Sequence, residues 1–170
     1  MGYGILIAGS GRIARDVGMY FLKNGNAVSW VSRSESCLVD CQGHVNGAVH
    51  AFMTQSRGRG VRTLSAAFYL YDELERETFD AIIECTVEKL EDKKDVASRL
   101  GNHINDKTIF VTTSLSIPPS DIHPACAGLR VRFPLEITKS AELVFPETMD
   151  ASQKEIRRAF CRENGISCAG

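Results

Sequence analysis

The sequence lacks any apolar run close to the roughly 20 residues that a membrane-spanning helix requires. Its first residues also lack the basic region and the cleavage site of a secretory signal peptide. Basic residues are not in excess, because 20 lysines and arginines stand against 21 aspartates and glutamates, for a formal net charge of -1. We therefore expect a cytoplasmic protein with no membrane segment and no nucleic-acid partner.

The cysteines lack the paired spacing that is typical of a zinc site or a disulfide framework. There are six of them, scattered along the chain: Cys37, Cys41, Cys85, Cys126, Cys161 and Cys168. This distribution predicts reduced, inert thiols and no metal site.

What the chain does contain is an alternation of short apolar runs with helical patterns, which is typical of βαβ units and a parallel sheet. The predicted strands are 3–8, 27–32, 62–70, 80–86 and 108–113. Two late strands follow at 128–133 and 141–146, and for these an antiparallel direction is the alternative to a parallel one. The predicted helices are 13–24, 72–77, the central part of 87–104, and 151–164. The sequence thus predicts one α/β domain over residues 1–170, doubly wound and mostly parallel, with helices on both faces.

Residues 34–60 are the least regular part of this pattern. Gly43, Gly47, Gly58 and Gly60 are expected to break the segment into a loop and a modest helix. Arg57, Arg59 and Arg62 then predict a solvated basic loop, with contact to a phosphate of CoA or of the cofactor as the alternative.

A glycine-rich loop follows the first predicted strand and opens the first predicted helix. It has the pattern Gly9-x-Gly11-x-x-Ala14, in which the first glycine permits a tight turn and the second permits close approach of a pyrophosphate. The helix N-terminus supplies N–H donors and a positive dipole end. The loop residues Gly9, Ser10, Gly11, Arg12 and Ile13 are therefore candidate cofactor-binding residues of a Rossmann-type domain. The alternative is a glycine turn that binds nothing.

The end of the second predicted strand lacks the acidic residue that usually bonds the ribose 2′-hydroxyl of NAD. Ser32, Arg33 and Ser34 stand there instead. A guanidinium flanked by hydroxyls would hold a 2′-phosphate through charge-assisted hydrogen bonds, whereas a carboxylate would repel it. The sequence therefore predicts a preference for NADP over NAD, with a solvated surface role for Arg33 as the alternative.

Three further segments carry a family resemblance. "DAIIECTVEKLEDKKDV", "TIFVTTSLSIPPSDI" and "AGLRVRFPLEITKSAELVFP" follow the glycine loop in order. With that loop they resemble the NAD-binding domain of the L-3-hydroxyacyl-CoA dehydrogenases over nearly the whole chain, least clearly between residues 36 and 78. By this resemblance, Glu88 and Lys93 are expected beside the nicotinamide ribose, and Thr113 replaces a serine that bonds the substrate oxygen.

The same resemblance exposes two departures at the catalytic positions. Glu142 stands where the family has the carboxylate of its His-Glu dyad, but the histidine position is Arg130. Phe133 replaces the active-site asparagine of that stretch. Arginine stays protonated at all relevant pH, so it can polarise a carbonyl, neutralise an oxyanion or pair with Glu142, but it cannot cycle a proton.

The resemblance also implies a helical domain that closes the acyl-CoA cleft, and that domain would begin about where this chain stops. We expect either a one-domain relative or a piece of a longer chain, with an identical copy or a partner chain covering the pocket.

The leading expectation is an NADP-preferring oxidoreductase that interconverts 3-hydroxy and 3-oxo groups of an acyl thioester or similar carbonyl compound. Arg130, Glu142 and Thr113 would face the substrate. The second hypothesis is a catalytically silent NADP(H)-binding sensor or scaffold. The third hypothesis is a domain that serves assembly and binds no nucleotide.

Overall fold

Strands and helices alternate along the chain as the sequence pattern predicts. The structure, a computed structural model, describes residues 2–56, 64–74 and 77–170, and within these ranges eight strands form one sheet. The strands are β1 (Gly4–Ala8), β2 (Ala27–Ser32), β3 (Ser65–Leu70), β4 (Ala81–Glu84), β5 (Ile109–Thr112), β6 (Ala127–Val131), β7 (Ser140–Val144) and β8 (Ser167–Ala169). The helices are α1 (Arg12–Lys23), α2 (Glu35–Gln55), α3 (Leu90–Arg99), α4 (Pro119–Ile122), α5 (Leu135–Thr138) and α6 (Ala151–Glu163).

The sheet order is β3-β2-β1-β4-β5-β6-β7-β8. The first six strands of the chain are parallel, β7 runs antiparallel to β6, and β8 pairs parallel with β7. The predicted α/β fold with a doubly wound, mostly parallel sheet is therefore confirmed. Because the strand order reverses between β1 and β4, a crevice opens at the carboxyl ends of these two strands.

The core has two layers, one on each face of the sheet, because successive strand residues point to opposite faces. On one face Ile5 and Ile7 of β1 pack in a cluster with residues of α1, α2 and α6. On the other face Leu6 and Ala8 pack with residues of α3 and α4. Helices thus cover both faces, as predicted.

The breaks predicted at Gly43 and Gly47 were wrong, because both glycines lie within α2, which is one continuous helix of 21 residues, whereas Gly58 and Gly60 lie outside the described residues. Ser34 caps it by accepting a hydrogen bond from the Cys37 N–H at 3.4 Å. Leu38, Cys41 and Val45 form its buried face. Gly43 and Gly47 lie on the exposed face, where each lowers helix propensity by only about 1 kcal/mol relative to alanine. Capping and packing therefore outweigh the two glycines.

The remaining differences concern short elements. Strand β8 was not predicted. Of the helix expected over 72–77, the structure has a 3-10 turn at Tyr71–Glu73, and residues 75 and 76 lie outside the described residues. Residues 62 and 63 of the predicted third strand lie outside the described residues, as do Arg57, Arg59 and Arg62. Among the described helices, none is long and apolar enough to cross a membrane.

Candidate dinucleotide site

The glycine loop turns sharply between the end of β1 and the start of α1. Gly9 has a φ of +129°, and a Cβ added there would lie 2.9 Å from the Cys85 carbonyl oxygen. Both features require glycine, since other residues rarely adopt this φ and a Cβ would clash. The Gly9 N–H donates to the Val31 carbonyl at 2.9 Å, which ties the loop to β2.

Gly11 sits at the N-terminus of α1 and leaves it open. Its backbone is extended, and a Cβ added there would meet no atom within 4 Å. Among the described residues no side chain caps this helix end, and its first turn carries no acidic residue. The N–H groups of the first turn are therefore available to an anion, which is what a pyrophosphate requires.

The loop forms one wall of a cavity of about 270 Å³, here called the first cavity. Its lining residues are Gly9, Ser10, Gly11, Val31, Ser32, Arg33, Ser34, Cys37, Tyr71, Cys85, Thr86, Val87 and Val96. Six of the predicted cofactor-binding residues thus line one space: Gly9, Ser10, Gly11, Ser32, Arg33 and Ser34. Ser10 Oγ lies 3.4 Å from Ser32 Oγ, across the gap between the loop and the end of β2.

Arg33 reaches the first cavity but already has anionic partners. Its Nη2 lies 3.1 Å from Oδ1 of Asp92, and its Nη1 lies 3.9 Å from Oδ2 of Asp95. Both aspartates are on α3, which packs beside the cavity. These contacts could not be predicted from the sequence, because the partners are far apart along the chain.

A second cavity, of about 370 Å³, opens on the other side of Cys85 and Thr86, which line both spaces. Its other lining residues are Ile13, Glu88, Thr113, Leu115, Ser116, Val131 and Phe133. Most of these are apolar, with Thr113, Thr86, Ser116 and Glu88 as the polar groups. Arg12, by contrast, extends outward with an exposed side chain and lies 3.9 Å from Asp16.

Lys93 is held under the second cavity in a buried ion pair. Its Nζ lies 2.8 Å from Oε2 of Glu84, and both side chains are 0% exposed. Lys93 also donates to the Thr86 carbonyl at 3.2 Å and lies 3.8 Å from Oε2 of Glu88. Lys93 does not line either cavity. It contacts two residues that do line the second cavity, Thr86 and Glu88.

Glu84 is the centre of this buried network. Its Oε2 also accepts from the Thr112 hydroxyl at 2.6 Å, and its Oε1 accepts from the N–H and the hydroxyl of Thr86. A buried carboxylate needs such partners, because desolvation of an unpaired charge is very unfavourable.

Glu88 fastens the loop after β5 to the start of α3. Its Oε1 accepts from the Ser114 hydroxyl at 2.6 Å, from the Ser116 N–H at 3.0 Å and from the Ser116 hydroxyl at 2.8 Å. Partial burial acts to raise the pKa of Glu88. These hydrogen bonds and the charge of Lys93 outweigh it and lower the pKa to about 2. Glu88 is therefore an anion at neutral pH.

Sequence reasoning did not predict five members of this network: Glu84, Thr86, Thr112, Ser114 and Ser116. The available signal was their position, since polar residues at the carboxyl ends of adjacent parallel strands meet at one edge of the sheet. Glu84 ends β4, and the two serines follow β5.

Arg130 and Glu142 are cross-strand neighbours in the antiparallel β6–β7 pair. Arg130 Nη1 lies 3.6 Å from Oε2 of Glu142, and the side chains are 32% and 54% exposed. Among the described residues, Val131 and Phe133 of this segment line the second cavity, whereas Arg130 and Glu142 do not. Thr113 does line it, and its hydroxyl donates to the Glu84 carbonyl at 3.2 Å.

The chain is similar in fold to several solved structures of dehydrogenases and to one of a diketoreductase. The chain superimposes on a diketoreductase with a TM-score of 0.82 and 19% identity, covering 99% of this chain and 64% of that one. For 3-hydroxybutyryl-CoA dehydrogenase from Escherichia coli K12, the TM-score is 0.78, the identity is 21%, and the coverage is 99% and 38%. A third similar structure is an NAD+-dependent dismutase, 5-formyl-3-hydroxy-2-methylpyridine 4-carboxylic acid 5-dehydrogenase. Its TM-score is 0.80 and its identity is 18%, and the match covers 99% of this chain and 57% of that one.

This chain therefore spans less than two thirds of each of these structures, and the likeness at these identities concerns the fold. A comparison with curated protein sequences finds no match. The sequence model of the 3-hydroxyacyl-CoA dehydrogenase NAD-binding domain, however, matches residues 4–154. Such a domain indicates a nicotinamide dinucleotide cofactor, and the open glycine loop fits one. The resemblance seen in the ordered motifs is thus confirmed, and the chain belongs to the family of 3-hydroxyacyl-CoA dehydrogenase NAD-binding domains.

Proposed function

We propose that this chain is the nucleotide-binding part of an NADP-preferring oxidoreductase that interconverts 3-hydroxy and 3-oxo groups of an acyl thioester or similar carbonyl compound. One observation carries the proposal: the glycine loop, the open N-terminus of α1 and the Ser32-Arg33-Ser34 segment all line the first cavity. This arrangement supports dinucleotide binding, because it offers N–H donors to a pyrophosphate at the loop and a cation near the expected position of the ribose.

The preference for NADP rests on the end of β2. Ser32 stands where NAD sites place a carboxylate, and Arg33 follows it at the cavity. A guanidinium binds the 2′-phosphate of NADP through hydrogen bonds between opposite charges, which are stronger than the hydrogen bond that it can donate to the neutral 2′-hydroxyl of NAD.

The second cavity is the proposed place of the nicotinamide and the reacting carbonyl. A bound nicotinamide dinucleotide supplies or accepts the hydride in such a reaction. Apolar side chains of Ile13, Leu115 and Phe133 would exclude water from it, and the Thr113 hydroxyl would hold the substrate oxygen. Arg130 and Glu142 do not line this cavity, so Arg130 would stabilise negative charge on that oxygen only after turning towards it from Glu142, and a proton donor other than Arg130 is required.

The test is a side-by-side titration with NADPH and NADH, followed by nicotinamide fluorescence, for the parent and Arg33→Ala. We expect NADPH to bind at least about tenfold more tightly than NADH, equivalent to about 1.4 kcal/mol, and the variant to lose this margin. Equal affinities in the parent would overturn the NADP preference. Turnover with a panel of 3-oxoacyl thioesters and NADPH then tests the reaction.

A second candidate function, a catalytically silent NADP(H)-binding sensor or scaffold, is favoured by the β6–β7 pair. Arginine replaces the histidine there and is engaged with Glu142 away from the lining of the second cavity. NADPH binding without hydride transfer to any 3-oxoacyl substrate, with the covering partner present, would favour this function.

The partner proposed to cover the second cavity is an identical copy or another chain. Leu115 is 68% exposed at the cavity, and Phe133 is 38% exposed beside it. Light scattering of the parent and Leu115→Asp tests for a homodimer, since a charge at a covered apolar contact weakens association. A parent that is monomeric at all concentrations would exclude the identical copy.

A further inference from the structure

The positive charge of Arg33 is balanced before a nucleotide arrives. Asp92 and Asp95 both lie within 4 Å of its guanidinium nitrogens. Asp95 is shared with Arg99, whose Nε lies 2.8 Å from the same Oδ2 atom. The group formed by Arg33, Asp92, Asp95 and Arg99, here called the charge cluster, therefore carries two positive and two negative charges.

Asp92 is the closer and the less exposed of the two partners of Arg33. Its oxygen lies 3.1 Å from Arg33 and its side chain is 25% exposed, whereas the Asp95 contact is 3.9 Å and the side chain is 40% exposed. Charges that are partly removed from water interact more strongly than fully solvated ones. Of the two aspartates, Asp92 therefore weakens the attraction between Arg33 and an added anion more than Asp95 does.

A 2′-phosphate brings close to two negative charges to the same place. To bind it, Arg33 must turn away from Asp92 or share its N–H groups between a carboxylate and a phosphate that repel each other. Both routes weaken the binding of a 2′-phosphate and leave the binding of a 2′-hydroxyl nearly unchanged.

We propose that Asp92, with a smaller contribution from Asp95, is a specificity-determining residue that limits how strongly Arg33 selects NADP over NAD. This inference rests on the proposed NADP-binding function of the first cavity. It assigns to α3 a role in cofactor selection that the glycine loop and the end of β2 do not reveal.

The experiment measures the ratio of the dissociation constants for NADH and NADPH in the parent, Asp92→Asn, Asp95→Asn and Arg33→Ala. Glu91→Gln is the matched control, because it removes one negative charge from the same turn of α3 at an exposed position. Unfolding of each variant without nucleotide, followed by circular dichroism, verifies that it is folded.

We expect Asp92→Asn to raise the ratio about fivefold through tighter NADPH binding, and Asp95→Asn to raise it less, about twofold. Glu91→Gln should leave it within about twofold of the parent, since exposed charges are well screened. An Asp92→Asn ratio equal to or below that of the parent, while Arg33→Ala lowers it, would overturn this inference alone. No NADPH binding by the parent or by Asp92→Asn would overturn the proposed function, and this inference with it.

Discussion

Two ion pairs near the second cavity join the same types of charge in opposite surroundings. Lys93 and Glu84 are fully buried, 2.8 Å apart, with further hydrogen bonds to Thr86 and Thr112. Arg130 and Glu142 are 3.6 Å apart and are both partly exposed to solvent. A buried charge depends on its partner, whereas solvent replaces the partner of an exposed one. We therefore expect the structure at the end of β4 to depend on its ion pair, and the β6–β7 strand pair to depend much less on the ion pair between Arg130 and Glu142.

The largest effect is expected for Lys93→Met. The variant keeps the volume of the side chain but leaves the Glu84 carboxylate buried without its cation, which should lower the free energy of unfolding by about 3–5 kcal/mol. Chemical denaturation measures it. Lys94→Met, at the neighbouring exposed position, is the control. A loss below about 1 kcal/mol for Lys93→Met would remove the distinction between the two pairs.

A smaller effect is expected for Glu88→Gln. The folded-state pKa of Glu88 is lowered to about 2, so its carboxylate stabilises the protein above the ordinary value of 4.5 and loses this contribution as the pH falls towards 2. Because the side chain is 43% exposed, we expect a loss of only about 1 kcal/mol at neutral pH.

The same variant should become equal to the parent in acid. The difference in unfolding free energy is expected to shrink as the pH falls from about 5 to about 2. Urea titrations across this range measure it, with Glu91→Gln as the exposed control. A difference that stays constant with pH would show that the charge of Glu88 does not stabilise the loop.

The smallest effect is expected for Glu142→Gln. Its partner Arg130 is accessible to water, so the free energy of unfolding should change by less than about 1 kcal/mol. Thermal unfolding followed by circular dichroism suffices to detect it. A loss as large as that of Lys93→Met would mean that the β6–β7 pair is a structural element after all.

The sequence predicted most of the fold because its strands are short apolar runs separated by clear helical patterns. It failed at α2, where Gly43 and Gly47 indicated breaks but the buried Leu38, Cys41 and Val45 decide the structure. It also missed β8, whose three residues are too few for a recognisable pattern.

At the site, the residues that depend on local geometry were predictable, and those that depend on contacts between distant segments were not. Gly9 and Gly11 follow from the strand–turn–helix context. The pairing of Arg33 with Asp92 and of Glu84 with Lys93 depends on how α3 packs against the sheet. The spacing of residues along the chain carries no direct signal of such packing.

The central claim is that a dinucleotide binds across the glycine loop, and Gly11→Asp tests it most directly. A side chain at this position has open space, and aspartate is a favoured N-cap residue, so the variant should fold with unchanged stability. Gly47→Asp, on the exposed face of α2, makes the same change away from the cavity.

NADPH titrations of the parent and both variants, followed by nicotinamide fluorescence, then measure how each substitution changes the affinity for NADPH. We predict that Gly47→Asp binds NADPH as tightly as the parent does. Gly11→Asp should lose at least about 100-fold in NADPH affinity, because its carboxylate occupies the position of the pyrophosphate and repels its negative charge. Equal NADPH affinity in Gly11→Asp and the parent would contradict the account.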